Sequence, residues 1–454
     1  MKCFPEGFVW GAAAASYQVE GGAREGGRGL SVWDMMCRIP GKIWDGHTGD
    51  VGCDHYHRWR EDVDIMREIG LQAYRFSVAW PRILPDGTGK PNREGVDFYD
   101  RLVDALLEAG IEPWVTLFHW DYPYELFCRG GWLSPDSPKW FAEYAAVVAD
   151  ALSDRVVRWM THNEPPCFIG LGLQNGEHAP GLRMGFAEVL RAVHNALLGH
   201  GLAVQALRAT CRKKPMIGMA MCGRVTAPVS EDKGDVEAAR RHMFDEFGLD
   251  VWNYALWTDP IFLGRYHEGA IRTYGDLMPP ICDGDMRIIA QPLDFYGMNI
   301  YSCGFVRAGK DVAPEPVALP VGYGMTTMEW PVTPQALYWG PRFAWERYGK
   351  PIVITENGMS NTDWIAVDGR VHDPQRIDFL TRYLREYRRA ISHGVEAIGY
   401  FQWSIMDNFE WAHGYKRRFG LVYVDYPSGR RILKDSARWY AEVIRSSGAS
   451  LGDG

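Results

Sequence analysis

Apolar residues along the chain gather in short runs without alternation, and each run is followed by a longer stretch in which apolar positions return every three or four residues. Unalternating runs suit strands buried on both faces, as in parallel sheets, and the 3.6-residue period suits amphipathic helices packed over them. The runs predict strands at 8–13, 73–77, 114–118, 158–163, 216–221, 295–299, 352–356 and 398–403. The periodic stretches predict helices over 56–69, 93–109, 138–152, 186–210, 236–253, 334–348 and 373–392. The last of these opens with Asp373 at an N-cap position and Pro374 in the first turn. Eight strands alternating with helices predict an α/β fold, a single (β/α)8 TIM barrel with long βα loops over the active face. Two connections are long for one βα unit: 222–293 must hold extra helices, and 301–334 is rich in Gly and Pro.

A length of 454 residues admits two or three domains, but no linker, short repeat or low-complexity segment divides the chain. The expectation is one catalytic domain over 1–454, with a frayed tail from 446 to 454.

Polar and aromatic residues end these strands: Arg75 and Ser77, His119 and Trp120, Asn163 and Glu164, Asn299 and Tyr301, Glu356, and Trp403. A barrel brings such tips together on one face, where chemistry is done. A carboxylate at the tip of a buried strand is costly unless it is paired or functional. Glu356, in IVITENG (352–358), ends such a run, and Gly358 gives the backbone a tight exit.

Composition narrows the partners. A net charge of -8 at pH 7 argues against a nucleic-acid or anionic-membrane surface. No apolar stretch reaches membrane-span length, and the start, MKCFPEGFVWG, lacks a signal-peptide core. Nine cysteines without a CxxC pair suit reduced thiols in a cytoplasmic protein better than a disulfide framework or a zinc site. Nineteen Trp and 22 Tyr offer flat apolar faces for stacking on sugars, or simply a large aromatic core. His55 and His57, two apart at a helix start, point to different faces, so no metal site is expected there.

Two carboxylates that flank one bond are what glycoside hydrolysis requires. On spacing alone, Glu164 and Glu356 are equally well read as unrelated strand-end acids held in salt bridges. Their contexts decide. THNEPP (161–166) and VITENG (353–358) resemble the acid/base and nucleophile motifs of the β-glucosidases of glycoside hydrolase family 1. The resemblance continues through SYQVEGG (16–22), YRFSVAWPRILP (74–85), TLFHWDYP (116–123), YGMNIYS (296–302) and WSIMDNFEWAHGYKRRFGLVYVD (403–425), and so covers nearly the whole chain.

The resemblance implies a (β/α)8 barrel that cleaves β-glycosides with retention and uses no metal or organic cofactor. It makes Glu164 the general acid/base and Glu356 the nucleophile, with Arg75, Tyr301 and Asn299 in support. It assigns Gln18, His119, Asn163, Glu410 and Trp411 to sugar hydroxyls, with Trp403 as the stacking floor and Phe419 in the same motif. Trp120 and Trp330 match positions on the leaving-group side. Relatives acting on 6-phosphorylated sugars replace Glu410, since a carboxylate repels phosphate. The implied partners are small β-glycosides and short β-linked oligosaccharides, chiefly terminal β-D-glucosides, with β-fucosides and β-galactosides as side substrates. A transglycosidase, or a carbohydrate-binding protein without turnover, would use the same barrel. The chain departs from the pattern where Trp usually follows NEP: Pro166 stands there, followed by Cys167. Cys167 reads as a packing residue, with a redox switch beside the acid as the alternative.

Overall fold

Eight parallel strands close into a barrel in the structure, a computed structural model that describes residues 3–452. They are β1 (Val9–Ala13), β2 (Ala73–Ser77), β3 (Glu112–Phe118), β4 (Arg158–Asn163), β5 (Met216–Met221), β6 (Tyr296–Asn299), β7 (Ile352–Asn357) and β8 (Ala397–Trp403). Each pairs with its neighbours in chain order, and β1 pairs with β8 in parallel register to close the ring. The strands are almost wholly buried because helices cover the outside. Residues His55–Ile69, Arg93–Glu108, Ser137–Leu152, Phe186–Thr210, Ala336–Tyr348, Pro374–Ser392 and Asp435–Arg445 supply that outer layer. Among the described residues no helix is long and apolar enough to cross a membrane.

Side chains fill the barrel in place of a pore. Trp114 packs against Phe295 and Phe401 at ring separations of 5.5 and 4.9 Å, in one cluster with the small residues Ala13, Ala73 and Ala220. Gly218 on β5 makes room for this layer, since a Cβ there would come within 2.2 Å of the Phe295 ring. Gly358 answers a similar need after β7, where a Cβ would meet the Trp403 carbonyl oxygen at 2.0 Å. Its role is therefore close approach of two strand ends.

Three expectations need correction. The helix expected over 236–253 stops at Phe244 (Lys233–Phe244), and a separate helix, Tyr254–Leu263, begins where the Asn253 side chain accepts from the Ala255 amide at 2.7 Å. Glu268–Tyr274 and Asp285–Ile289 complete the extra helices of that connection. The long 301–334 connection is no mere loop: Gly304–Ala308 and Pro314–Val317 join Thr226–Pro228 in a small three-stranded sheet. Residues 446–452 do not fray either. Leu451 is buried, the Phe4 amide donates to the Ser447 carbonyl at 2.9 Å, and Arg385 Nη2 donates to the Leu451 carbonyl at 2.6 Å. The rest of the expected tail, 453–454, lies outside the described residues. Asp373 occupies the N-cap position, but its carboxylate accepts from Ser436 and Arg376 and from no amide of its own helix.

Candidate active site

The C-terminal tips of the strands surround a cavity of about 490 Å³, within the usual range for small-molecule sites. Glu164 and Glu356 both line it, from the ends of β4 and β7. Strand register slips just before each tip, between Met160 and Asn163 against β5 and between Ile354 and Glu356 against β6. Such bulges re-aim side chains near active sites. The backbone beyond them is also unusual: Glu164 (φ 46°) and Trp120 (φ 80°) adopt left-handed conformations that cost side-chain-bearing residues about 1–3 kcal/mol each. The Glu164 amide is anchored to the Ala220 carbonyl at 2.8 Å.

A hydrogen-bonded chain links the two carboxyls. Arg75, 1% exposed on β2, reaches Glu356 Oε1 with Nη1 at 2.6 Å and Asn163 Oδ1 with Nη2 at 2.6 Å. The Tyr301 hydroxyl donates to Glu356 Oε2 at 2.7 Å. Asn299 Nδ2 donates both to Asn163 Oδ1 at 2.9 Å and to Glu164 Oε1 at 2.8 Å. Asn299 is itself held by the Thr355 hydroxyl, which donates to its Oδ1 at 2.6 Å. Arg75 is fixed in turn by Thr116 and by the carbonyl of Thr355.

The two carboxyls thus face different donors. Glu356 has a guanidinium and a phenol. Glu164 has an amide and the Cys167 thiol, which donates to Oε2 at 3.1 Å. Burial, with the nearby Glu356 charge, pushes Glu164 up to about 7. Burial raises Glu356 as well, but Arg75 and Tyr301 oppose it, so the shared proton resides on Glu164. Burial and then Glu356 drive the Tyr301 hydroxyl far above its ordinary range, which keeps it a donor. His119 is held well below its ordinary value by burial and by Arg75, and is neutral. Its Nε2 faces Asn163 Nδ2 at 3.0 Å, an arrangement that leaves the ring proton on Nδ1.

The remaining expected site residues fall into two groups. His119, Trp120, Trp403, Glu410, Trp411 and Phe419 line the cavity, as do Asn299, Tyr301 and Trp330. Trp403 stacks beside His119 at 5.7 Å, while Trp120 packs on Trp411 at 4.5 Å and donates from Nε1 to the Asn163 carbonyl. Trp330 stands 5.0 Å from the Tyr301 ring and is only partly buried. Arg75 and Asn163 are buried in contact with the lining residues Glu356 and His119. Gln18 is buried too: its Nε2 donates to the Phe409 carbonyl at 2.8 Å and lies 3.5 Å from Glu410 Oε2, while its Oε1 has no protein partner. Burial, then Glu356 and Glu164, push Glu410 up to about 8.

The sequence reading missed Cys222, which follows β5 directly and lines the cavity with its Sγ 3.8 Å from that of Cys167. The strand-tip rule that singled out the other residues would have found it. Glu164, Cys167 and Cys222 bring three potential metal-ligand atoms within 4.8 Å of one another. Cys167 does more than pack, since it hydrogen-bonds Glu164. Burial and Cys222 push its thiol well above the ordinary range, so it is no reactive thiolate. His55 and His57 go separate ways, one buried against Asp62 and one exposed between Asp54 and Glu25.

A parallel barrel whose active face holds one proton-bearing carboxyl and one cation-bound carboxyl, under aromatic walls, has the makings of a glycoside-cleaving enzyme. The chain belongs to glycosyl hydrolase family 1, whose family model matches residues 1–449. It is 43% identical over 450 residues to β-glucosidase A of Thermotoga maritima, covering 99% of each chain. It is 42% identical over 470 residues to a bifunctional β-D-glucosidase/β-D-fucosidase of Bifidobacterium breve, covering 98% of this chain and 99% of the relative. A solved structure of the Thermotoga maritima β-glucosidase in complex with glucoimidazole superposes with a TM-score of 0.90 at 44% identity, covering 99% of this chain and 100% of the other.

Proposed function

We propose that this protein is a retaining, exo-acting β-glucosidase that removes terminal, unphosphorylated β-D-glucose, with β-fucosides and β-galactosides as side substrates. The observation that carries the reading is the asymmetry of the carboxyl pair: Glu164 pushed up to about 7 beside a Glu356 held by Arg75 and Tyr301. Glu356 attacks the anomeric carbon and forms a glycosyl ester while Glu164 gives its proton to the departing oxygen. Once the ester forms, the charge on Glu356 is gone, the Glu164 pKa falls, and Glu164 takes a proton from the incoming water. Trp403 supports the sugar's apolar face. Gln18, His119, Asn163, Trp411 and Glu410 serve its hydroxyls, and Phe419 closes the same wall. Trp120 and Trp330 form the leaving-group side.

The substrates are β-glycosides and short β-linked oligosaccharides. The chain works as one catalytic domain. Its cysteines, all unpaired among the described residues, suit a cytoplasmic setting. The test is the stereochemistry and scope of turnover. In an NMR time course with aryl β-glucoside, β-glucose should appear first and mutarotate later, and the 6-phosphoglucoside should be a far poorer substrate. α-Glucose as first product, or preference for the phosphorylated sugar, would overturn the reading.

A further inference from the structure

Cys167 and Cys222 take no part in the double displacement, yet both open onto the cavity beside Glu164. Their sulfurs are 3.8 Å apart. Two sulfurs bound at 2.3 Å to one tetrahedral zinc ion span about 3.8 Å. Glu164 Oε2 lies 3.1 Å from Cys167 Sγ, a few tenths of an ångström inside the matching oxygen–sulfur edge. Asn299 holds the other oxygen, Oε1, at 2.8 Å and so orients the carboxylate with Oε2 toward the sulfurs. Supporting hydrogen bonds of this kind orient ligands in metal sites. All three ligand atoms lie within 4.8 Å of one another, and all three residues line the cavity, so a fourth ligand has open space beside them.

We propose that Cys167, Cys222 and Glu164 form an inhibitory site for a thiophilic divalent cation of the zinc class. Two thiolates and a carboxylate select borderline and soft ions over magnesium or calcium, which prefer all-oxygen cages. Binding forms two metal–sulfur bonds and one metal–oxygen bond, and the two thiol protons and the proton held by Glu164 leave to solvent. The ion then occupies the oxygen that carries the proton for the leaving group. That consequence for turnover rests on the reading of Glu164 as acid/base, whereas the binding does not.

The test uses the full chain, freshly reduced and freed of reductant under anaerobic conditions, titrated with cobalt(II) as the spectroscopic probe and then with zinc(II). The wild type should bind cobalt with a thiolate-to-metal charge-transfer band that zinc displaces. Zinc should abolish release of aryl aglycone, and chelation should restore it. Cys167→Ser and Cys222→Ser should each weaken cobalt binding by at least about tenfold and shrink the band, the double variant should lose it, and zinc inhibition should be relieved to match. A wild type without the band would overturn the proposal, as would serine variants that bind cobalt and suffer zinc inhibition unchanged. A metal-free wild type without glycosidase turnover would sink the functional reading instead, and the cobalt titration would still decide the site.

Discussion

Tyr301→Phe removes one atom from the site and leaves its packing in place. The hydroxyl donates to Glu356 Oε2 at 2.7 Å, while the ring rests 5.0 Å from Trp330 and the Tyr301 carbonyl accepts from Tyr383. Phenylalanine retains both the ring contact and the backbone bond. A hydrogen bond to a charged group contributes about 1.5–3 kcal/mol, and one pKa unit corresponds to about 1.4 kcal/mol, so the loss should raise the Glu356 pKa by about one to two units. On the proposed mechanism, turnover by free enzyme needs Glu356 ionised and Glu164 protonated, so the acid limb of kcat/KM against pH reports the first proton lost from the pair, and the alkaline limb the second. The variant should shift the acid limb upward by about one to two units. The alkaline limb should stay near the wild-type value around 7, set by burial and by the Glu356 charge. The assay is kcat/KM on an aryl β-glucoside from acid to alkaline pH, with circular dichroism to confirm a native fold. A fixed acid limb with a displaced alkaline limb would refute the assignment, because Tyr301 would then be acting on Glu164.

Glu164→Ala should slow substrates with poor leaving groups far more than activated aryl glucosides, which need no proton; equal losses across a leaving-group series would count against Glu164 as the acid. Glu410→Gln should lower kcat/KM for glucosides near pH 7 by about 2- to 13-fold, the worth of one neutral hydrogen bond, since the carboxyl is mostly protonated there. The wild-type carboxyl, pushed above its ordinary value to about 8, binds protons in the folded state that the unfolded chain has released, so its contribution to stability falls as pH rises from about 5 to 8. The glutamine variant should therefore show a flatter decline of Tm across that window, and an identical slope would contradict the shift. Gly218→Ala places a Cβ 2.2 Å from the Phe295 ring and should destabilise the barrel by about 1–3 kcal/mol in denaturant unfolding; an unchanged midpoint would contradict that close packing.

The barrel was legible because parallel strands buried on both faces must be continuous apolar runs, and the eight observed strands begin and end within about two residues of those runs. The site was legible for a related reason: a polar group such as Arg75 or Glu356 at the end of such a run has to find a partner there. What sequence hid was set by tertiary contacts. Apolar residues recur past Phe244, through Phe247, Leu249 and Val251, although Gly248 interrupts them, and the Asn253 cap marks where the chain restarts as a new helix. The sheet formed by Thr226–Pro228, Gly304–Ala308 and Pro314–Val317 has short strands, two prolines in its edge and partly exposed faces, so it carries no apolar run. Residues 446–452 look like a tail of small and polar residues, yet one side chain, Leu451, and the backbone acceptors docked by Phe4 and Arg385 hold them. The hydrogen-bonded path through Asn299 and Thr355 joins strands far apart in sequence, and no local pattern encodes it.

The central claim is that Glu356 is the nucleophile and that Glu164 serves it as acid and base. Glu356→Gly leaves a space in place of the carboxylate, and azide can enter it from the same face. With an activated aryl β-glucoside and azide, the variant should regain turnover and yield α-glucosyl azide, identified by the anomeric coupling in its NMR spectrum. A β-glucosyl azide, or no rescue by azide in a folded variant, would contradict the account.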